Sequence, residues 1–313
     1  MYNRFFQYIG TAMKYLPSIK QLQYLTALAE TEHFSKAAQL CNVTQSTLSA
    51  GIKELETVFG ITLAERTKRS VIMTPIGREI AERAAKIIRD AQDMMALSAA
   101  SDGPLTGRLQ MGVIPTIAPY LLPKLLPALR QNYPRLDLTL RETQTAVLVD
   151  EVLSGRLDVA LLALPASDNR LVEQPLFEDP FVLVIPASHP LVKQKQIDAK
   201  TLNQENLLLL EEGHCFRDQA IEFCSTSGLP GDMSQFSTLG ATSLATIAQM
   251  VSADFGITLL PQMAIEQETT HNKKLAVRPF TPPQPSRTIG LIWRKNSPRL
   301  EDFKALAEVI NAL

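Results

Sequence analysis

Three cysteines in a chain of 313 residues are too few for a disulfide scaffold. No apolar run approaches the roughly 20 residues that a membrane helix needs, and the opening segment, interrupted by Arg4 and Lys14, lacks the apolar core of a signal peptide. A cytoplasmic location is expected. Glycine-rich phosphate loops and serine nucleophile elbows are absent. His189 precedes a proline, while His33 and His271 fall in different modules without metal-ligand spacing. Neither an enzyme nor a metal or cofactor site is expected on these grounds. Net charge is −1 but unevenly spread: residues 1–75 hold 8 Lys or Arg against 5 Asp or Glu, so +3, which leaves 23 against 27, or −4, for the rest. A basic N-terminal module fits a nucleic-acid partner. With 45% hydrophobic and 20% charged residues, the chain has the balance of a globular protein long enough for two or three domains.

What is present centres on residues 211–224, E-E-G-H-C-F-R-D-Q-A-I-E-F-C, which hold two of the three cysteines. The run N-L-L-L-L at 206–210 reads as a buried strand, Gly213 breaks the chain, and Phe216, Ala220 and Phe223 share one face of a helix over 216–223. Cys215 then lies at a helix N-terminus. Unpaired N–H groups and the helix dipole favour a thiolate there, with His214 and Arg217 beside it as cationic or hydrogen-bonding groups. Cys224 follows nine positions later, about 900° of rotation and about 13.5 Å of rise along one helix. A disulfide requires Cα atoms roughly 4.4–6.8 Å apart. If the two cysteines ever join, the helix between them must unfold. The plainer alternative is that both are small buried hydrophobes.

Nearer the N-terminus, I-K-Q-L-Q-Y-L-T-A-L-A-E predicts a helix over 18–31 with Leu22, Leu25, Leu28 and Ala29 on one face. The next block gives a short helix over 35–40, a turn at 41–43 and a longer helix opened by Thr44, with Ser35 and Thr44 as N-caps. The pattern is that of a helix-turn-helix. Ala38 permits a close crossing, Val43 plugs the turn, and Leu48, Ile52 and Leu55 pack the second helix on the first. Cys41, in the turn, is read as packing. Gln45, Ser46, Thr47, Ser49 and Lys53 face outward and are residue types that contact base edges and phosphates. An ordinary helical hairpin is the alternative. Arg66, Lys68 and Arg69, just before V-I-M-T, read as a basic wing. Thr74 caps, and Pro75 starts, a long helix. Its stripe of Ile76, Ile80, Ala84, Ile87, Ala91, Met94 and Ala99 predicts cover by the same helix of a second chain. Gly103, Pro104 and Gly107 mark a boundary.

Beyond it, strands and helices alternate: strand 109–114, helix 120–133, strand 136–140, helix 146–153 and strand 158–164. Residues 181–186 are expected to cross into a second α/β set holding the two cysteines, a helix near 243–252 and the strand 257–261. R-T-I-G-L-I-W-R at 287–294 and a terminal helix return to the first set. Two lobes of this kind enclose a cleft, a usual place for ligands. Thr116 and Thr145 stand at the C-terminal ends of parallel strands, facing that cleft. Each also precedes a helix, which suits an N-cap.

The blocks F-S-K-A-A-Q-L-C-N-V-T-Q-S-T-L-S-A-G-I-K-E-L-E, L-A-E-R-T-K-R-S and T-P-I-G resemble the winged helix-turn-helix of LysR-type transcriptional regulators. The cysteine block, with I-P-T near 116, T-Q-T near 145, A-T-S-L near 244, G-I-T-L-L-P and R-T-I-G-L, resembles the hydrogen-peroxide-sensing members of that family. The resemblance implies an N-terminal extension over 1–16, a winged helix-turn-helix DNA-binding domain over 17–74, a linker and dimerisation helix over 75–100 and a hinge over 101–107. A two-lobed α/β effector-binding domain of the periplasmic-binding-protein type then covers 108–313, with lobe I about 108–180 and 281–313 and lobe II about 181–280. It makes Cys215 the peroxide-reactive thiolate and Cys224 the resolving thiol. Thr116, Thr145, His214 and Arg287 form the peroxide pocket in this reading, supported by Arg217 and Asp218. The resemblance also implies a homodimer or homotetramer on promoter DNA, contacts from Gln45, Ser46, Thr47, Ser49, Lys53, Arg66, Lys68 and Arg69, activation of antioxidant genes with RNA polymerase, and resetting by a cellular disulfide reductant. Two rivals stand: a regulator of this family sensing a small metabolite in the cleft, and a thiol peroxidase, which would have no use for residues 18–99.

Overall fold

A computed structural model describes residues 16–66, 71–99, 103–226 and 241–313, and the chain divides after Ser98 into two compact units. In the first, helix α1 (Ile19–Thr31) opens with Ser18, whose hydroxyl accepts from the Gln21 amide while Gln21 reaches back. Helices α2 (Phe34–Leu40) and α3 (Gln45–Phe59) follow, then a hairpin of β1 (Ala64–Arg66) and β2 (Val71–Met73). Leu25, Leu28, Ala38, Leu48, Ile52 and Leu55 form one core, with Val43 packed at its edge. Gly51 lets α1 and α3 meet, because a Cβ there would lie 2.6 Å from the Tyr24 ring. Thr44 caps α3 as expected, but Ser35 does not cap α2. The extended residue is His33, whose Nδ1 accepts from the Ser35 amide at 3.2 Å, while the Ser35 hydroxyl donates to Gln45 Oε1.

Helix α4 (Pro75–Ala99) starts where Thr74 Oγ1 accepts from the Gly77 amide at 3.0 Å. Its expected stripe divides. Ala84 is buried within the unit, whereas Ile76, Ile87 and Met94 are exposed.

The second unit is built on a sheet whose strands stand in the order 136–142, 107–113, 159–163, 286–294, 171–186, 257–261 and 207–208, with 275–279 also on 171–186. Strands β3 (Gly107–Val113), β4 (Leu136–Glu142) and β5 (Val159–Ala163) run parallel, linked through α5 (Ala118–Asn132) and α6 (Thr145–Ser154). Strand β6 (Leu171–Pro186) is continuous over 16 residues. Its first half pairs with β10 (Ser286–Arg294), and from Phe181 it pairs with β8 (Ile257–Pro261) and β9 (Leu275–Pro279). The crossing expected at 181–186 is thus a change of partners within one strand. The second lobe adds β7 (Leu207–Leu208), α7 (Cys215–Thr226), α8 (Leu244–Ser252) and α9 (Ile265–Thr269), and α10 (Leu300–Asn311) closes the first.

Each lobe has its own core: Leu125, Val159, Leu161, Leu291 and Phe303 in one, and Phe181, Leu183, Leu208, Phe216 and Leu259 in the other. Helix α5 serves both. Its Leu121, Leu125 and Leu129 lie in the first core, and Tyr120 reaches the second, where its hydroxyl donates to Glu268 Oε1 at 2.9 Å. No described helix is long and apolar enough to cross a membrane.

Candidate thiol site and DNA-reading helix

The segment before α7 is shaped by one buried run and one glycine. Leu207, Leu208, Leu209 and Leu210 are all buried, and the Glu211 amide donates to Ala241 O at 3.0 Å. Gly213 adopts φ +91, the left-handed region, and a Cβ there would come within 2.7 Å of Gln144 Oε1. Gln144 belongs to the turn before α6, so the first lobe rests against the loop that leads to Cys215. Cys215 is the first residue of α7, half-buried, and packs at the edge of the first lobe's core. Its helical position leaves it among unpaired amide N–H groups at the positive end of the dipole.

Around it, His214 is buried, and that burial lowers its pKa from the ordinary histidine value, with Glu211 pulling weakly the other way. It is therefore a neutral hydrogen-bonding group at pH 7 rather than a cation. Arg217 Nη1 donates to Leu210 O at 2.9 Å, which ties the first turn of α7 to the strand run before it. Asp218 is exposed in that first turn, a favourable place for a carboxylate. Cys224, at the other end, is enclosed by the second lobe's core, and burial pushes its thiol up to about 11.

Neither threonine caps a helix. Ile117 and Gln144 occupy the cap positions of α5 and α6, and neither makes a side-chain cap bond. Thr116 Oγ1 instead accepts from Arg287 Nη1 at 2.7 Å, and Thr116 O accepts from Arg287 Nη2 at 3.0 Å. Thr145 Oγ1 is buried with no partner among the described residues. Arg287 is buried, lies 5.4 Å over the Phe216 ring and donates through Nε to Asp179 Oδ2 at 3.0 Å. Thr116 and Arg287 thus meet the site through Phe216, next to Cys215 in sequence, and Thr145 through Gln144 and Gly213.

Asp179, Gln144 and Phe216 join the site in the structure without standing out in the sequence as site residues. Only Phe216 carried a signal, its place on the apolar face of α7. No metal-binding group of His, Cys, Asp or Glu occurs among the described residues.

In the N-terminal unit, Gln45, Ser46, Thr47 and Lys53 are exposed on α3 and Ser49 is half-buried. Thr44 Oγ1 lies 2.9 Å from Ser46 Oγ and 2.8 Å from Thr47 Oγ1, so hydroxyls crowd the helix start, where amide N–H groups favour phosphate. Arg66 ends β1, but its side chain, and Lys68 and Arg69 altogether, lie outside the described residues.

An outward polar helix in a helix-turn-helix, followed in the chain by a two-lobed sheet domain, defines a DNA-binding transcription regulator with a sensing domain. Residues 19–78 match the bacterial regulatory helix-turn-helix proteins of the lysR family, and residues 102–313 match the LysR substrate binding domain. The chain belongs to the LysR family, in its group of hydrogen-peroxide-inducible activators. It is 40% identical over 295 residues to the DNA-binding transcriptional dual regulator OxyR of Escherichia coli, covering 94% of this chain and 95% of that one. A full-length cysteine-to-aspartate variant of Pseudomonas aeruginosa OxyR superposes with a TM-score of 0.77 at 38% identity, over 94% of each chain. A cysteine-to-serine variant of Corynebacterium glutamicum OxyR with hydrogen peroxide bound gives 0.67 at 34% identity, over 95% of this chain and 92% of that one.

Proposed function

We propose that the chain senses hydrogen peroxide at Cys215 and converts its oxidation into altered binding of promoter DNA. The observation that carries this is the contrast along α7: Cys215 half-exposed at the helix N-terminus against the first lobe, and Cys224 enclosed in a core nine residues later. The Cys215 thiolate attacks one oxygen of hydrogen peroxide. The S–O bond forms, the O–O bond breaks, and the second oxygen leaves as hydroxide, which takes a proton to become water. Cys215 is then a sulfenic acid. Thr116, Thr145 and His214 hold and polarise the peroxide, while Arg287 supports Thr116. Arg217 and Asp218 stabilise the first turn.

Cys224 then attacks the Cys215 sulfur, releasing the hydroxyl as water and closing the disulfide. Two facts oppose that step while α7 is intact: the separation along the helix, and a thiol held far from ionisation by burial. Melting α7 relieves both, and the refolded lobe becomes the signal. The exposed Ile76, Ile87 and Met94 on α4 support a homodimer through that helix, paired into a homotetramer, so that two copies of α3 meet two half-sites. The protein works in the cytoplasm as a regulator rather than an enzyme, recruits RNA polymerase to antioxidant genes and is reset by a disulfide reductant. Replacing Cys215 by Ser and footprinting a target promoter with and without peroxide tests this: the variant should keep its reduced footprint and lose the change. A normal peroxide response from Cys215→Ser would sink the reading.

A further inference from the structure

Four contacts converge on the buried carboxylate of Asp179. Its Oδ2 accepts from Arg287 Nε at 3.0 Å and lies 2.9 Å from Arg287 Nη2, and its Oδ1 accepts from the Met263 amide at 3.1 Å. The Gln262 amide also faces it. Both members of the ion pair are buried, with side-chain exposures of 0% and 2%. Burial raises the carboxyl pKa, and the Arg287 charge acts in the opposite direction. Every partner of the carboxylate is a donor, so these contacts favour the anion. Asp179 and Arg287 stand directly opposite in the β6–β10 register, one pair before the last, Pro180 with Ser286, after which β6 changes partners.

A guanidinium has donors only. The contact between Arg287 Nη1 and Thr116 Oγ1 therefore has one direction: Arg287 donates, and a lone pair of the Thr116 oxygen is occupied. The second donation, from Nη2 to Thr116 O, fixes the residue's backbone as well. Thr116 keeps its own hydroxyl proton, for which no described residue provides an acceptor.

We infer that Asp179 is a positioning residue of the thiol pocket: by anchoring Arg287, it turns Thr116 into an obligate hydrogen-bond donor toward the oxygen that gains charge as the O–O bond breaks. This rests on the peroxide-sensing reading of Cys215. A buried ion pair adds little net stability over an apolar pair of the same volume, so the consequence of this one lies in where it points Arg287. Thr145, whose hydroxyl has neither donor nor acceptor among the described residues, is left free to do both.

The test is a double-mutant cycle on the full chain. Oxidation of Cys215 by hydrogen peroxide and its alkylation by iodoacetamide are timed by mass spectrometry in the wild type, Asp179→Asn, Thr116→Val and the double variant. Asp179→Asn should lower the peroxide rate about tenfold or more, the scale of one charge-assisted hydrogen bond. It should not slow alkylation, because removing the carboxylate leaves the Arg287 charge uncompensated and favours the thiolate. The double variant should be no slower with peroxide than Thr116→Val alone. If Asp179→Asn does not fold, Asp179→Glu, which keeps the anion but displaces the guanidinium, enters the same cycle with the same expected selectivity and a smaller loss. A wild-type peroxide rate in the folded variant, equal slowing of both reagents, or losses that multiply in the double variant would each overturn the inference while leaving peroxide sensing intact. A wild-type Cys215 that peroxide does not oxidise would remove both.

Discussion

The two ends of α7 carry the same side chain in opposite circumstances. Cys215 sits half-buried on the first turn, among free amide N–H groups and beside a neutral His214, against the first lobe. Cys224 lies in the second lobe's core with its thiol pushed up to about 11. In the proposed mechanism reactivity is a property of place rather than of residue type, and the helix between the two places is the element that must change for the two thiols to join.

The sharpest way to break this contrast is to remove one thiol at a time. Cys215→Ser should lose all peroxide response, whereas Cys224→Ser should still form a sulfenic acid at Cys215, trapped by a dimedone-type probe, and stop there. A Cys224→Ser protein whose Cys215 resists oxidation would make the division of labour untenable. Next in size is the labelling of Cys224 in the reduced protein. Raising a thiol from 9.0 to about 11 leaves about 100-fold less thiolate at pH 8, so iodoacetamide should label Cys224 about that much more slowly than it does in guanidinium. The folded pKa is raised, so this group favours the fold below pH 9 and loses that contribution as pH climbs toward 11. Labelling should accelerate in that window.

A smaller effect is expected in the helix itself. Ala220 is fully buried in mid-α7, and Ala220→Gly, at about 1 kcal/mol of helix stability, should close the disulfide about fivefold faster from the sulfenic state. Unchanged closure would mean that α7 need not open. For His214, burial depresses the folded pKa. Below the ordinary histidine value of 6.5 the unfolded chain binds a proton that the folded one refuses, so stability should fall as pH drops through that value. His214→Asn should flatten this limb of the denaturation profile. Least affected should be a site on the other unit: Lys53→Ala ought to reduce the salt slope of DNA binding by about one while leaving the Cys215 oxidation rate alone.

Much of this was legible in local pattern. The Gly213 break, the face formed by Phe216 and Ala220, and the caps at Thr44 and Thr74 are short-range signals, and the corresponding elements follow them. What escaped notice depends on partners distant in the chain. Read locally, Thr116 suits a helix cap; only the family resemblance groups it with Arg287, 171 positions away, which donates to its oxygen. Asp179 sits in F-E-D-P, for which local pattern gives no element, and the residues continue β6 because partner strands change just beyond them. Ser35 had the right side chain for a cap, but His33 had the extended backbone a cap requires. Of the apolar stripe of α4, Ile76, Ile87 and Met94 are exposed and Ala84 is buried.

In the proposed mechanism, α7 must open for Cys215 to reach Cys224. Mass-spectrometric mapping of the disulfide after mild peroxide, combined with hydrogen exchange over residues 215–226 in both redox states, tests it directly. An intrachain Cys215–Cys224 bond and loss of amide protection along α7 are expected in the oxidised protein. A Cys215–Cys224 bond formed with α7 protection unchanged, or a disulfide joining Cys215 of two chains, would contradict it.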